Sequence, residues 1–207
     1  MPIILKKEDQ GSILAVWKVT ESLEQLTSNE VALRYLDEIK KFSSPSRKVE
    51  WLTVRILLYE LLNEHKVIIY SKSGKPYLQD RSYEIGISHT CGFVAVHLAQ
   101  KPTTSIDIEY RNNRISRVAQ RVFSPAELGY GESKNSQTYE LVMWCAKETL
   151  FKAFDLNNID FRKDLLIHPF RIDSKQGIIT GQEFKTEEQR SLDIFYHIEE
   201  DFILTYA

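Results

Sequence analysis

The sequence predicts an α+β fold made of two similar α/β halves, and three observations predict it. Apolar runs of strand length alternate with amphipathic stretches of helix length, the element order of the first half recurs in the second, and two landmark intervals coincide. Trp51 and Trp144, each in a helical stretch, lie 93 residues apart, and so do Leu14 and Asp107, each in an opening strand. Two copies of one βαβ-type unit make a duplication and not a solenoid, which stacks at least about three repeats. The expected halves are residues 1–101 and 102–207, joined at Gln100-Lys101-Pro102-Thr103-Thr104, where proline ends the preceding strand.

In the first half, Ile13 to Val19 reads as a strand, and the Ser, Glu and Thr content that follows suits loop and short helix. From Ser46 to Leu62, apolar Trp51, Val54, Leu58, Leu61 and Leu62 recur at helical spacing, which sets Arg47, Trp51 and Arg55 on one side. Val67-Ile68-Ile69 leads into a turn at Ser73-Gly74-Lys75-Pro76, and Tyr83–Ser88 with Phe93–Leu98 form a hairpin around Ser88-His89-Thr90-Cys91-Gly92. In the second half, Thr104–Tyr110 reads as a strand, Ile115, Val118, Ala119, Val122 and Phe123 as a helical stripe, and Tyr139–Phe154 as a long helix. Ser124-Pro125-Ala126-Glu127 is a capping box, which gives Glu127 a structural role. The Gly, Ser, Asn and Gln content of Gly129–Thr138 reads as a mobile loop. Strands over Ile172–Thr180, Leu192–Ile198 and Phe202–Tyr206 close the chain.

Composition bounds the function. With 207 residues, 43% of them hydrophobic, the chain can bury a core without staples. A net charge of −2 gives no global field for nucleic acid or an anionic membrane, so any anion site must be local. The longest apolar run, Leu141 to Ala146, has six residues, far below the roughly 20 that span a bilayer, and charged Lys6 to Asp9 follow a very short apolar patch. A cytoplasmic protein is expected. Cys91 and Cys145 both sit in apolar stretches without metal-type spacing and read as reduced core residues.

Strand Ser105-Ile106-Asp107-Ile108-Glu109-Tyr110 alternates, so Ile106 and Ile108 face a core while Asp107 and Glu109 share the other face. Two like charges about 7 Å apart repel unless water or a cation offsets them, so the face is either solvated or a cation site. Trp144, Glu148 and Lys152 follow at intervals of four on one helix side. They form either a surface ion pair or, since a large ring heads the stripe, a partly buried group. Oxygens of Asp107, Glu109 and Glu148 would suit Mg²⁺. Nothing suits zinc, because His65, His89, His97, His168 and His197 lack ligand spacing, and no Walker or Gly-rich dinucleotide motif occurs. On the anion side, Gly74-Lys75-Pro76 offers a cation and backbone N–H groups on a tight turn, and Ser88-His89 a hydroxyl and an imidazole at a hairpin end.

Read in order, Arg47, Gly74-Lys75-Pro76, Ile87-Ser88-His89-Thr90, Ile106-Asp107-Ile108-Glu109 and Trp144-Cys145-Ala146-Lys147-Glu148 with Phe151-Lys152 resemble the 4'-phosphopantetheinyl transferases, over about residues 40 to 155. The resemblance is to the larger, surfactin-synthetase-activating type, a monomeric two-lobed pseudo-dimer. It implies transfer of the 4'-phosphopantetheine arm of coenzyme A to a serine of an apo acyl, peptidyl or aryl carrier protein, with Mg²⁺ and release of adenosine 3',5'-bisphosphate. It implies Asp107, Glu109 and Glu148 as metal ligands, Lys75, Ser88 and His89 around the nucleotide and its phosphates, Arg47 at the 3'-phosphate and Lys152 at the pyrophosphate. Within it, Gly74, Pro76 and Asp107 count among the coenzyme-binding residues, and Glu148 and Lys152 as the catalytic pair, Glu148 or a metal-bound water taking the serine proton. The N-terminal lobe would hold the coenzyme and the C-terminal lobe the metal and catalytic groups. Arg111, Arg114, Arg117 and Arg121, with no acid between them, form either a docking face for an acidic carrier or a solvated helix face. A catalytically silent adaptor and a metal-dependent phosphohydrolase are the competing readings.

Overall fold

Two antiparallel sheets, each backed by one long helix, account for most of the chain. The computed structural model describes residues 2–9, 11–112, 114–129 and 136–207. It divides into two compact units, Met1–Lys101 and Pro102–Ala207.

In the unit Met1–Lys101, strands β1 (Ile3–Asp9) and β2 (Ser12–Lys18) form a hairpin. Short helices α1 (Leu23–Thr27) and α2 (Glu30–Leu33) and a 3₁₀ turn (Glu38–Lys41) lead to helix α3 (Pro45–Leu62). Strands β3 (Ile68–Tyr70) and β4 (Pro76–Leu78) pair as a small separate hairpin, and β5 (Glu84–Thr90) pairs with β6 (Phe93–Ala99). The sheet order is β1-β2-β6-β5. Helix α3 starts where it does because the Ser44 hydroxyl accepts from the Arg47 N–H and Pro45 needs no N–H partner in the first turn. It is buried continuously from Trp51 to Leu58, and its core partners on the sheet are Ala15, Trp17, Val94, Val96 and Leu98. Leu52 and Leu57 have no exposed surface, so truncating either to alanine should cost about 2–5 kcal/mol.

In the unit Pro102–Ala207, β7 (Ile106–Tyr110) is followed by helices α4 (Arg114–Val122), α5 (Pro125–Gly129) and α6 (Ser136–Phe154). Strands β8 (Leu165–Ile167), β9 (Gln176–Glu183), β10 (Ser191–Ile198) and β11 (Phe202–Tyr206) complete a sheet of order β7-β11-β10-β9-β8. The core under α6 joins Val142, Ala146 and Leu150 to Ile179, Ile194, Tyr196 and Ile203. The run β2-β6-β5 in one unit parallels β7-β11-β10 in the other, each placing the unit's last strand between an early strand and the penultimate one, while β1 adds an edge strand to the first sheet and β9 and β8 extend the second.

Several expectations need correction. The N-terminal patch is a full strand, β1, and β8 lies in a stretch where no strand was expected. The strand expected over Ile172–Thr180 is β9, displaced to Gln176–Glu183 because its pairing with β10 sets the register. Ser88 and His89 lie within β5 and not at its end, since Thr90 still pairs with Phe93. The turn is only Cys91-Gly92, with Gly92 at φ 74°, so Cys91 is exposed and not a core residue. Val118, expected in the apolar stripe of α4, is exposed. Of the expected loop, residues 130–135 lie outside the described residues, Gly129 closes α5, and Ser136–Thr138 open α6.

The 93-residue interval is helix-true but not strand-true. Trp51 and Trp144 lie on α3 and α6, each packed with its own core. On the strands, Ala15 and Trp17 belong to the core under α3, whereas Leu14 points to the other face. A slip of one residue exchanges the faces of a strand, so Leu14 is not the positional equivalent of Asp107.

Candidate active site

Period two on β7 and period four on α6 bring the acidic residues together. Asp107 pairs in register with Thr205, whose hydroxyl contacts that of Thr149 on α6 at 2.6 Å, so Asp107 faces the helix. It is only 4% exposed, which excludes the solvated-face reading. Ile106 and Ile108 on the opposite face are buried too. From α6, the Lys152 ammonium donates to Asp107 Oδ1 at 2.6 Å and to the Ile106 carbonyl at 3.3 Å. Two turns earlier, the Trp144 indole N–H donates to Glu109 Oε1 at 3.0 Å. Glu148 occupies the turn between them.

The electrostatics follow from that placement. Burial, and next Asp107, push the Glu148 carboxyl up to about 7, with Glu109 adding and Lys152 opposing. Burial pulls the Lys152 amine down, but Asp107 and Glu148 outweigh it and hold it above the usual lysine value. Cys145, buried beneath the same group, has its thiol pushed well up by burial and then by Asp107 and Glu109, so it is an inert thiol.

Lys147, next to Glu148 in sequence, points the other way and has no exposed surface. Its ammonium donates to Glu127 Oε2 at 2.8 Å and to the carbonyls of Val122, Phe161 and Leu165. Glu127 completes the capping box by accepting from the Ser124 N–H at 2.7 Å, and it also accepts from the Ile167 N–H at 2.9 Å. The pair is a fully bonded staple of α5, α6 and β8. The sequence marked Glu127 as a cap but carried no sign of its lysine partner.

Asp107, Glu109 and Glu148 fit a hard divalent cation in donor chemistry, since three carboxylates against one ammonium leave an excess of negative charge that raises Glu148. As the side chains stand, no group of three His, Cys, Asp or Glu among the described residues is set to hold a metal ion. Asp107 is instead bonded to Lys152.

A second set of expected residues lies in the unit Met1–Lys101. Arg47, Gly74, Pro76 and His89 line one cleft, together with Glu50, Trp51, Arg55 and Tyr70. The Arg47 guanidinium, which can only donate, reaches His89 Nε2 at 2.7 Å, so that nitrogen is the acceptor. His89 Nδ1 and Arg47 Nη1 each lie 3.4 Å from Glu50 Oε2. Gly74, at φ 91°, donates its N–H to the Ser71 carbonyl, and Lys75 donates its N–H to the Ser71 hydroxyl. The backbone donors expected to be open on this turn are therefore used within it. Lys75 and Ser88 do not line the cleft: Lys75 is half-buried on its turn, and Ser88 is buried in β5. Glu50 and Tyr70 escaped sequence reasoning, although Glu50 stands three residues after Arg47 on a helix, where an ion pair forms.

Arg114, Arg117 and Arg121 are exposed on α4, whereas Arg111 precedes the helix and donates to the Glu199 carbonyl and the Thr138 hydroxyl. No helix among the described residues is long and apolar enough to cross a membrane.

Residues 105–207, just under half of the chain, match the family model of the 4'-phosphopantetheinyl transferase superfamily. That match supports a transferase and phosphopantetheine transfer as its chemistry. No curated protein matches the chain.

Proposed function

We propose that the chain transfers the 4'-phosphopantetheine arm of coenzyme A to a serine of an apo acyl, peptidyl or aryl carrier protein, with Mg²⁺, acting as a monomer in the cytoplasm. The observation that carries this reading is the meeting of Asp107, Glu109, Glu148 and Lys152 inside the stretch that matches the transferase superfamily. In the reaction, the serine oxygen bonds to the phosphorus that carries pantetheine, and the bridging pyrophosphate oxygen leaves with adenosine 3',5'-bisphosphate. Asp107, Glu109 and Glu148 would hold Mg²⁺, which would supply charge neutralisation at the pyrophosphate.

The chain's own groups do the rest. Glu148 is the carboxylate assigned to accept the serine proton, through the oxygen a cation would leave free. Lys152, protonated and beside Asp107, stabilises or protonates the leaving oxygen. Arg47, Gly74, Pro76 and His89, which line one cleft, take the nucleotide and its phosphates, Arg47 through its fork. The exposed arginines of α4 suit an acidic carrier. The parallel runs β2-β6-β5 and β7-β11-β10 support a duplicated, two-lobed ancestry of the larger type.

The test is incubation with apo carrier protein, coenzyme A and Mg²⁺, read by intact mass. A gain of one phosphopantetheine on the carrier is the expected result. Coenzyme binding without that gain points to an adaptor, and free bisphosphate with an unmodified carrier points to a hydrolase.

A further inference from the structure

The cleft in the unit Met1–Lys101 contains a charge that its function as described leaves unused. Arg55 lines it and is 6% exposed. Its guanidinium carbon lies 3.1 Å from the centroid of the Trp51 ring, and Nη1 donates to the Trp51 carbonyl at 3.0 Å. Tyr70 lines the same cleft, and Glu38 acts on Arg55 only through space. No carboxylate among the described residues forms an ion pair with it. Arginine does not shed its proton in proteins, so the cleft wall keeps a buried positive charge.

Arg47 differs. It is half exposed, and it shares the Glu50 carboxylate with His89. Counting charges over the cleft, Glu50 offsets Arg47, His89 Nε2 is an acceptor, and the net positive charge belongs to Arg55. Trp51 fixes the plane of the guanidinium, so its remaining N–H donors are pre-oriented and little rotamer entropy is lost on binding.

We infer that Arg55 is a ligand-contacting, specificity-determining residue that receives the phosphate monoester of the bound nucleotide. The inference rests on the coenzyme reading above, in which that monoester is the 3'-phosphate. Arg47 then closes over the outer side of the same group, in competition with Glu50.

Binding without transfer tests it. Calorimetry on the full chain compares adenosine 3',5'-bisphosphate with adenosine 5'-monophosphate, for wild type and for Arg55→Gln, with the unfolding midpoint as a check on folding. Wild type should prefer the bisphosphate, and Arg55→Gln should lose about ten- to hundred-fold of that preference, the worth of one charged hydrogen-bonding contact. Equal weakening of both ligands, an unchanged preference, or no wild-type preference overturns the assignment. If Arg55→Gln does not fold, Arg55→Lys decides: it keeps the charge but loses the fork, so the preference should fall part of the way, and an intact preference overturns the assignment. The carrier assay fails separately. An unmodified carrier beside a preference that depends on Arg55 sinks the transferase reading alone.

Discussion

The two long helices carry the same local pattern with opposite charge. On α3, Trp51 is followed one turn later by Arg55; on α6, Trp144 is followed one turn later by Glu148, and both pairs are separated by the same 93 residues. In the first unit the strand positions facing the helix are Ala15 and Trp17, so the cation meets no acid from the sheet. In the second they are Asp107 and Glu109, and the helix carboxylate is pushed up to about 7 among them. The first unit therefore sets a buried cation against apolar strand residues, and the second sets a raised carboxylate against acidic ones. The difference lies in the side chains at the helix position and at the two strand positions facing it, on strands whose register against the helix differs by one residue.

The strongest way to break this comparison is Glu148→Gln. It removes the proposed base and one proposed cation ligand while keeping the volume, and transfer should fall by at least about 10²–10⁴-fold; near-normal turnover by carrier mass would mean that the charged pair on α6 is not the reacting one. Next in size is the buried staple. Burial lowers the Lys147 amine against the pull of Glu127, and Glu127→Ala strands that ammonium. The expected loss is about 3–5 kcal/mol of unfolding free energy, measured by urea denaturation. A loss below about 1 kcal/mol would show that the four-way bonding of Lys147 does not depend on the carboxylate.

A smaller effect sharpens the first unit. Glu50→Gln frees Arg47 and His89 from a competing carboxylate, and adenosine 3',5'-bisphosphate should bind a few-fold tighter by calorimetry, about the worth of a partly exposed ion pair. Weaker binding contradicts the charge count. Smallest is a pH effect. Burial alone would raise Glu183, but hydrogen bonds from Thr186 and Arg190 win and hold it at about 2. Its folded value lies below the ordinary 4.5, so its contribution is complete above that pH and fades as pH falls toward about 2. Glu183→Gln should flatten that part of the stability curve, read as urea midpoints between pH 5 and pH 2.5, roughly the two ends of the window. Parallel curves for the two proteins would refute it. Asp80, held at about 2 by Lys66, sits on an exposed turn of the first unit, and Asp80→Asn should change the same curve less because solvent screens the pair.

Much of the site was legible because its residues lie at fixed local spacing. Trp144, Glu148 and Lys152 follow the turn of a helix, Asp107 and Glu109 the alternation of a strand, and Ser124 with Glu127 a cap whose geometry is purely local. What stayed hidden depends on chain segments far apart in sequence. Glu127 meets Lys147 across 20 residues, and Arg55 gains its place in a cleft only when the β3–β4 hairpin brings Tyr70 to α3. Cys91 shows the same limit in reverse, since an apolar flank cannot tell a buried strand from the two-residue turn between strands.

By itself, then, the sequence determined the two long helices, most strands and the types of charge on them, because periodicity and capping are written within a few residues. Only the tertiary structure decided which faces were covered, and that decision turned Asp107 from a solvated acid into a buried one and Arg55 into the uncompensated charge of its cleft. The reason is that desolvation and pairing depend on what packs against a side chain, and packing partners come from anywhere along the chain.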